Sequence, residues 1–346
     1  MFSHYFSSIL GVAMTEPFGL PEHIRVSLGT AIVLELLKGK LDAKPTTAYF
    51  MTYKRGKCLA NCGFCPQARN SKSSTEMLSR VTWPTFSTLR TLNALSTASK
   101  KERMKRVCIQ ALNYPEVFAH IEALVREIKN VAQIPVSVSC QPLNRENIVR
   151  LANAGVNRLG IALDASTEML FNNIKGKKAG GMYSWKDQFI HLTQALDVFG
   201  EGNVSTHIIV GLGETEKQAI EIIQRCVEMG VLPALFAFTP VRGTALENKL
   251  PPELVSYRRI QIARCLIVSG TIKVENMHFS RKGGITGYGL SNEELTKVID
   301  SGLPFRTSGC TDCNRPFYNE KPSGPLYNYP TKPTKKEIEK IKRELT

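Results

Sequence analysis

Hydrophobic positions along the chain fall into two alternating kinds of segment. Short runs rich in β-branched and aromatic residues recur at 46–53 (TTAYFMTY), 106–112 (RVCIQAL), 134–140 (IPVSVSC), 158–163 (RLGIAL), 204–212 (VSTHIIVGL) and 232–238 (LPALFAF). Runs of this kind predict buried strands. Between them apolar residues return at helical spacing, as in VFAHIEALVREIKN (117–130), NRENIVRLANAG (144–155) and TEKQAIEIIQRCVEMG (215–230). In the last of these Thr215 and Gln218 stand in capping-box positions and Gly230 marks the stop. Strands alternating with helices predict parallel pairing through helical crossovers. Two weaker runs, 271–279 and 303–309, raise the strand count to as many as eight. The expected fold is α/β, a full or partial (β/α) TIM-type barrel. No short internal repeat is visible.

The flanks differ. Residues 1–45 read as an N-terminal extension with a helix candidate at 27–40. The barrel is expected over 46–309. Residues 310–346 form a tail, Pro/Tyr/Gly-rich from Asn314 and closed by a charged helix at 334–345. That helix's Lys/Glu pattern predicts a solvated face.

With 346 residues and 42% hydrophobic content, the chain can bury a large core and is neither disordered nor fibrous in type. No stretch approaches the length of a membrane span, and 1–20 lacks a basic region followed by a long apolar core, so a cytoplasmic location is expected. The net charge of +15 allows nucleic acid, an acidic protein or simply a Lys-rich soluble surface. The basic residues are scattered, and the densest cluster (Lys100, Lys101, Arg103, Lys105, Arg106) has no interleaved aromatics. That weighs against a nucleic-acid face.

Nine cysteines stand at 58, 62, 65, 108, 140, 226, 265, 310 and 313. Three of them form C-x3-C-x2-C in KCLANCGFCPQ, just after the first expected barrel strand. Such a position lies at the catalytic end of a barrel. Clustered thiols in a reducing compartment point to metal binding. A closed zinc site takes four ligands, and Cys62 and Cys65 would have to recruit Cys310 and Cys313. A four-iron cluster held by three cysteines keeps one iron open for a chelating cofactor.

Cys58, Cys62 and Cys65, with Phe64 before the last cysteine, resemble the signature of the radical S-adenosylmethionine (SAM) enzymes. GFCPQAR, RLANAG, ALDAS and IVGLGET extend the resemblance to biotin synthase and its relatives over roughly 50–310. The resemblance implies a [4Fe-4S] cluster on the three cysteines, SAM on the open iron, and a 5′-deoxyadenosyl radical that removes hydrogen from carbon. It implies that Asp164 binds the SAM ribose and that Val210, Gly211 and Glu214 line the SAM pocket. Gln110 and Ala111 fall beside the methionine part, and Phe64 and Phe238 near adenine. GLGET alone reads equally as a tight strand-to-helix turn.

Biotin synthase carries a second cluster on barrel cysteines and an arginine. Only Cys108 matches that set, the equivalent positions being Ser137 and Ser205, with Lys273 the best match to the arginine. The chain is therefore not expected to be biotin synthase itself. Cys310 and Cys313 in SGCTDCNRPFYNEKPSGP, expected on the catalytic face, suggest an auxiliary iron–sulfur cluster instead. Cys108 or Cys140 would be its third ligand, and a zinc half-site is the competing reading. This stretch resembles the archaeal-type two-subunit lipoyl synthase. That resemblance implies sulfur insertion into the octanoyl chain of a lipoyl carrier protein, a second radical SAM subunit and an electron donor such as ferredoxin. Another biotin-synthase-like radical SAM activity is the nearest alternative, and a zinc-stabilised nucleic-acid-binding protein the more distant one. His207 reads as a cavity group or a core histidine. Arg281 and Lys282 read as a solvated loop or a contact for a carboxylate or carrier. Cys226 and Cys265 read as buried structural thiols.

Overall fold

The structure is a computed structural model that describes residues 19–141 and 144–345. One mostly parallel sheet organises it. Its strands in chain order are β1 (His23–Val26), β2 (Thr47–Thr52), β3 (Thr85–Ser87), β4 (Arg106–Gln110), β5 (Val136–Ser139), β6 (Arg158–Gly160), β7 (Val204–Val210) and β8 (Leu232–Ala237). They lie in the order β8-β7-β6-β5-β4-β2-β1-β3. The six from β2 to β8 are parallel, and β1 pairs antiparallel with both β2 and β3. These are the six runs that periodicity picks out, trimmed at their ends. The sheet curves but does not close on itself by strand pairing, so the fold is a partial barrel.

Helices cover the outer face. Val117–Val131, Arg145–Asn153 and Glu216–Glu228 match the periodic segments, and the capping box of Thr215 and Gln218 forms with both of its hydrogen bonds. Their apolar stripes pack on strands that are buried on both sides, as parallel strands require. Among the described residues no helix is long and apolar enough to cross a membrane.

Two expectations need correction. The 27–40 helix is only Leu28–Val33, because Glu35 turns left-handed (φ 61°) and stops it. From the N-terminal extension, strand β1 joins the main sheet. Neither of the two weak strand candidates joins the main sheet. In 271–279, only His278–Phe279 is extended, in a small hairpin with Ile285–Gly287. In 303–309, left-handed Gly302 and Pro304 open a single 3-10 turn.

Residues 306–320 instead fill the gap that the open sheet leaves. The Leu235 amide on the free edge of β8 donates to Ser308 Oγ (2.7 Å). Edge position also explains why Pro233 is tolerated in this strand. The segment then crosses the N-terminal ends of β2 and β4. Thr46 N donates to Asn314 Oδ1 (3.0 Å), Thr47 Oγ1 to Asp312 O (3.1 Å) and Arg106 Nε to Thr311 O (3.1 Å). It rises to the other rim, where Arg80 Nη1 donates to Phe317 O (2.9 Å) and Glu320 O (2.5 Å) and Thr239 Oγ1 to Asn319 O (2.9 Å). The tail is thus an irregular stave of the barrel wall.

Candidate functional site

The barrel encloses a cavity of about 250 Å³. Cys58, Cys62, Phe64 and Cys65 line it from the loop after β2, as do Gln110, Ala111, Asp164 and Phe238 from strand ends. The loop is held by backbone bonds from Cys58 N to Gln67 O (2.9 Å), Cys65 N to Cys62 O (2.9 Å) and Gly63 N to Ile174 O (2.7 Å). Gln67 anchors its far side, donating to Thr75 O (2.6 Å) and Met77 O (2.5 Å) and accepting from Arg25 Nη1 (3.2 Å). The Asn113 amide points at Cys58 Sγ (3.0 Å).

Burial raises the Cys62 thiol well above its ordinary value, with Lys175 partly opposing, and pushes Cys65 up to about 12. Such thiols stay protonated until a metal displaces the proton, which is the behaviour of a ligand rather than of a free nucleophile. Among the described residues no three His, Cys, Asp or Glu side chains converge as a single metal ion requires. Cys58, Cys62 and Cys65 all turn to the cavity wall. An all-thiol donor set of this kind fits an iron–sulfur cluster.

Asp164 ends the β6 segment in a left-handed conformation (φ 65°), one that Asp tolerates better than most residues. Its Oδ2 lies 2.6 Å from Lys175 Nζ, which also donates to Ala162 O (2.5 Å) beneath the Tyr183 ring (5.3 Å to the centroid). Lys175 follows the helix Glu168–Ile174 and carries no motif, so the sequence offers no sign of it.

Val210, Gly211 and Glu214 do not line the cavity. Gly211 (φ 106°) has no room for a Cβ, which would meet Pro252 Cδ at 2.7 Å. Glu214 turns back to accept from Gly211 N (2.6 Å) and Leu212 N (3.0 Å). GLGET is therefore first of all a tight turn, and its Glu is occupied in holding it.

Cys310 and Cys313 are not on the catalytic face. The stave brings them in at the N-terminal end of the barrel, because the hydrogen bonds to Thr46, Thr47 and Arg106 fix it there. Cys313 Sγ lies 3.3 Å from Tyr49 Oη and Cys310 Sγ 3.6 Å from Ser137 Oγ. Tyr49, Cys108 and Ser137 are in register on β2, β4 and β5, so their side chains point the same way. Burial raises the Cys108 thiol, and neighbouring Cys310 and Cys313 raise it further. Cys140 also lines the cavity, but burial alone lifts it, to about 12. The geometry thus groups Cys108, rather than Cys140, with the C-x2-C pair.

Lys273 is exposed, whereas two guanidinium groups stand at the second thiol set: Arg106, whose Nη1 donates to Ser137 Oγ (2.9 Å), and Arg315, which lines the cavity. It lies 3.7 Å over the Phe236 ring and donates to Ser308 O (3.1 Å); burial raises the Cys313 thiol, and the charge of Arg315 partly opposes that rise. Its only sequence mark is its place two residues past Cys313. His207 also lines the cavity, 4.8 Å from Phe236, and burial lowers its pKa to about 4, keeping it neutral. Cys226 is buried, Cys265 half-buried in Leu254–Val268, and Arg281 and Lys282 are exposed on the hairpin.

A partial parallel barrel with a three-thiol loop at the C-terminal end of its first parallel strand defines a class, and the chain has the radical SAM α/β fold. The family model of the radical SAM superfamily matches residues 55–226 and supports assignment of the chain to that superfamily. Among curated proteins it is similar to the biotin synthases of Prochlorococcus marinus (strain MIT 9515) and Sulfurihydrogenibium sp. (strain YO3AOP1). The first is 26% identical over 241 residues, covering 67% of this chain and 68% of that protein. The second is 26% identical over 267 residues, covering 70% and 71%. In fold the chain is similar to the FeFe-hydrogenase maturase HydG from Carboxydothermus hydrogenoformans, with a TM-score of 0.51 at 13% identity. That match covers 78% of this chain and 59% of the maturase, so the chain spans about three fifths of that relative.

Proposed function

We propose that the protein is a radical SAM sulfur-inserting enzyme, a lipoyl synthase subunit that adds sulfur at C6 or C8 of a carrier-bound octanoyl chain. The observation that carries this reading is the pair of three-thiol sets, Cys58/Cys62/Cys65 and Cys108/Cys310/Cys313, facing one cavity from opposite ends. The first set would hold the [4Fe-4S] cluster, which supplies the electron that splits SAM into methionine and a 5′-deoxyadenosyl radical. The second would hold an auxiliary cluster that supplies sulfide.

The chain's own residues bind and shield. Asp164, oriented by Lys175, offers its remaining oxygen to the SAM ribose, and Phe64 and Phe238 offer apolar surface to adenine. Gln110 and Ala111 lie where the methionine part would rest. The wall of Tyr49, Met51, Phe236 and Tyr318 suits an aliphatic chain and excludes water around a radical. The tail's stave completes that wall. Partners on this reading are the octanoylated lipoyl carrier protein, a second radical SAM subunit and a ferredoxin-type donor, with a cytoplasmic location.

The test is mass spectrometry of an octanoylated carrier peptide after anaerobic incubation with the reconstituted enzyme, SAM and reductant, with and without a candidate second subunit. A gain of sulfur with SAM cleavage supports the reading. SAM cleavage that leaves a Cys310→Ala/Cys313→Ala protein with all the parent's iron would remove the auxiliary centre and leave a different radical SAM activity.

A further inference from the structure

Three chain segments that meet around the three-cysteine loop contain none of the chain's 30 Asp and Glu residues. The loop and its flanks, 54–73, carry Lys54, Arg55, Lys57, Arg69 and Lys72. Segment 169–186 carries Lys175, Lys177, Lys178 and Lys186, and segment 239–246 carries Arg242. They are one surface, because hydrogen bonds join them. On one side Asn61 Nδ2 donates to Ala179 O (2.6 Å) and Arg69 Nη2 to Gly180 O (3.0 Å). On the other Lys72 N donates to Gly243 O (2.7 Å) and Leu246 N to Gly63 O (3.1 Å).

Two of these bases are used inside. Lys175 pairs with Asp164, and Lys57 Nζ donates to Pro66 O and Ser73 O (both 2.6 Å). Arg55, Arg69, Lys72, Lys177, Lys178 and Arg242 are exposed, and among the described residues none of the six has a carboxylate partner. The flanking Glu247 is occupied by Gly243 N (2.6 Å). Apolar side chains stand among the bases of the middle segment, with Met169 64% and Met182 55% exposed.

We propose that this face docks a small acidic protein that donates single electrons. The assignment rests on the reductive SAM chemistry proposed above. There the donor protein loses one electron, the centre on Cys58, Cys62 and Cys65 gains it, and it passes into the C–S bond of SAM that breaks. The face is the outer surface of the loop that bears those cysteines. Unpaired positive charge steers an acidic partner and raises its on-rate, and exposed methionines supply an adaptable apolar centre. Electron-transfer encounters need only a small interface of this kind. An acidic carrier protein, by contrast, has to thread an acyl arm into the cavity and gains nothing from lying over the loop's outer side.

The experiment compares the reconstituted parent with a Lys72→Glu/Lys177→Glu/Lys178→Glu/Arg242→Glu variant. Stopped-flow absorbance follows cluster reduction by a pre-reduced acidic [2Fe-2S] ferredoxin at several salt concentrations. The expected result is at least a tenfold slower reduction of the variant at low salt and loss of the parent's salt dependence. Reduction by dithionite should stay within twofold. Titration with oxidised ferredoxin, which needs neither reduction nor SAM, should show binding to the parent and not to the variant. Equal ferredoxin rates in the two proteins overturn the proposal. So does a variant that loses an octanoylated carrier domain while keeping ferredoxin. If dithionite-reduced parent fails to cleave SAM, the proposed function falls, and the oxidised-ferredoxin titration still decides the docking face.

Discussion

Lys175 Nζ and Asp164 Oδ2 form an ion pair of 2.6 Å inside the barrel, their side chains 3% and 10% exposed. Lys175 Nζ lies 5.8 Å and 5.3 Å from the ring centroids of Phe171 and Tyr183, and its bond to Asp164 fixes the orientation of the carboxylate. Removing one member of such a pair leaves a buried charge uncompensated. Asn keeps the left-handed backbone of position 164, so Asp164→Asn isolates the charge. It should lower the unfolding free energy by about 3 kcal/mol and weaken SAM binding. Asp164→Asn/Lys175→Gln should lose less stability than the single variant. Urea titration checks both, and additive losses would show that the two residues do not act as a pair.

The second thiol set can be dissected by iron analysis. Cys108→Ser should cost the anaerobically reconstituted protein the same iron as Cys310→Ala/Cys313→Ala, whereas Cys140→Ser should cost none. Loss of iron in Cys140→Ser alone would move the third ligand one strand along.

Arg80, at the turn of a short hairpin (Met77–Leu78 with Val81–Thr82) beyond the cysteine loop, ties the tail's stave to it through two carbonyls. Charge-assisted bonds of this kind are each worth about 1.5–3 kcal/mol. Arg80→Ala should loosen 314–330 locally, visible as faster limited proteolysis there with little change in global unfolding. A cleavage pattern identical to the parent's would show that other contacts hold the stave.

His207 links stability to pH. Its folded pKa, about 4, lies below the ordinary 6.5, so the unfolded chain takes up a proton that the folded one refuses. The native state is therefore fully favoured above pH 6.5 and loses stability as pH falls towards 4, by on the order of 3 kcal/mol. His207→Gln should show a flatter decline over that window in denaturant titrations. Parallel curves for parent and variant would assign the acid sensitivity elsewhere.

The six parallel strands and their crossover helices are legible because each is a local pattern, period two or 3.6, bounded by its own caps. The three-cysteine loop is legible because its ligands lie within eight residues. β1 and β3 escape notice because four- and three-residue strands carry too few positions for a pattern. The placement of Cys310 and Cys313 escapes for a different reason. It depends on contacts such as Thr47 to Asp312, 265 residues apart, and no local periodicity encodes which rim of a barrel a returning chain will meet. Lys175 and Arg315 likewise join the candidate site only by virtue of what the fold lays beside them.

The stave that closes the barrel also carries two of the second set's thiols. As the chain emerges from a ribosome, the three loop cysteines and all six parallel strands are complete while the wall still stands split along one side. The second pair of thiols arrives with the segment that seals it. Closing the vessel and furnishing its far end are thus a single late event, and the site that would hold sulfide cannot be assembled ahead of the enclosure that protects it.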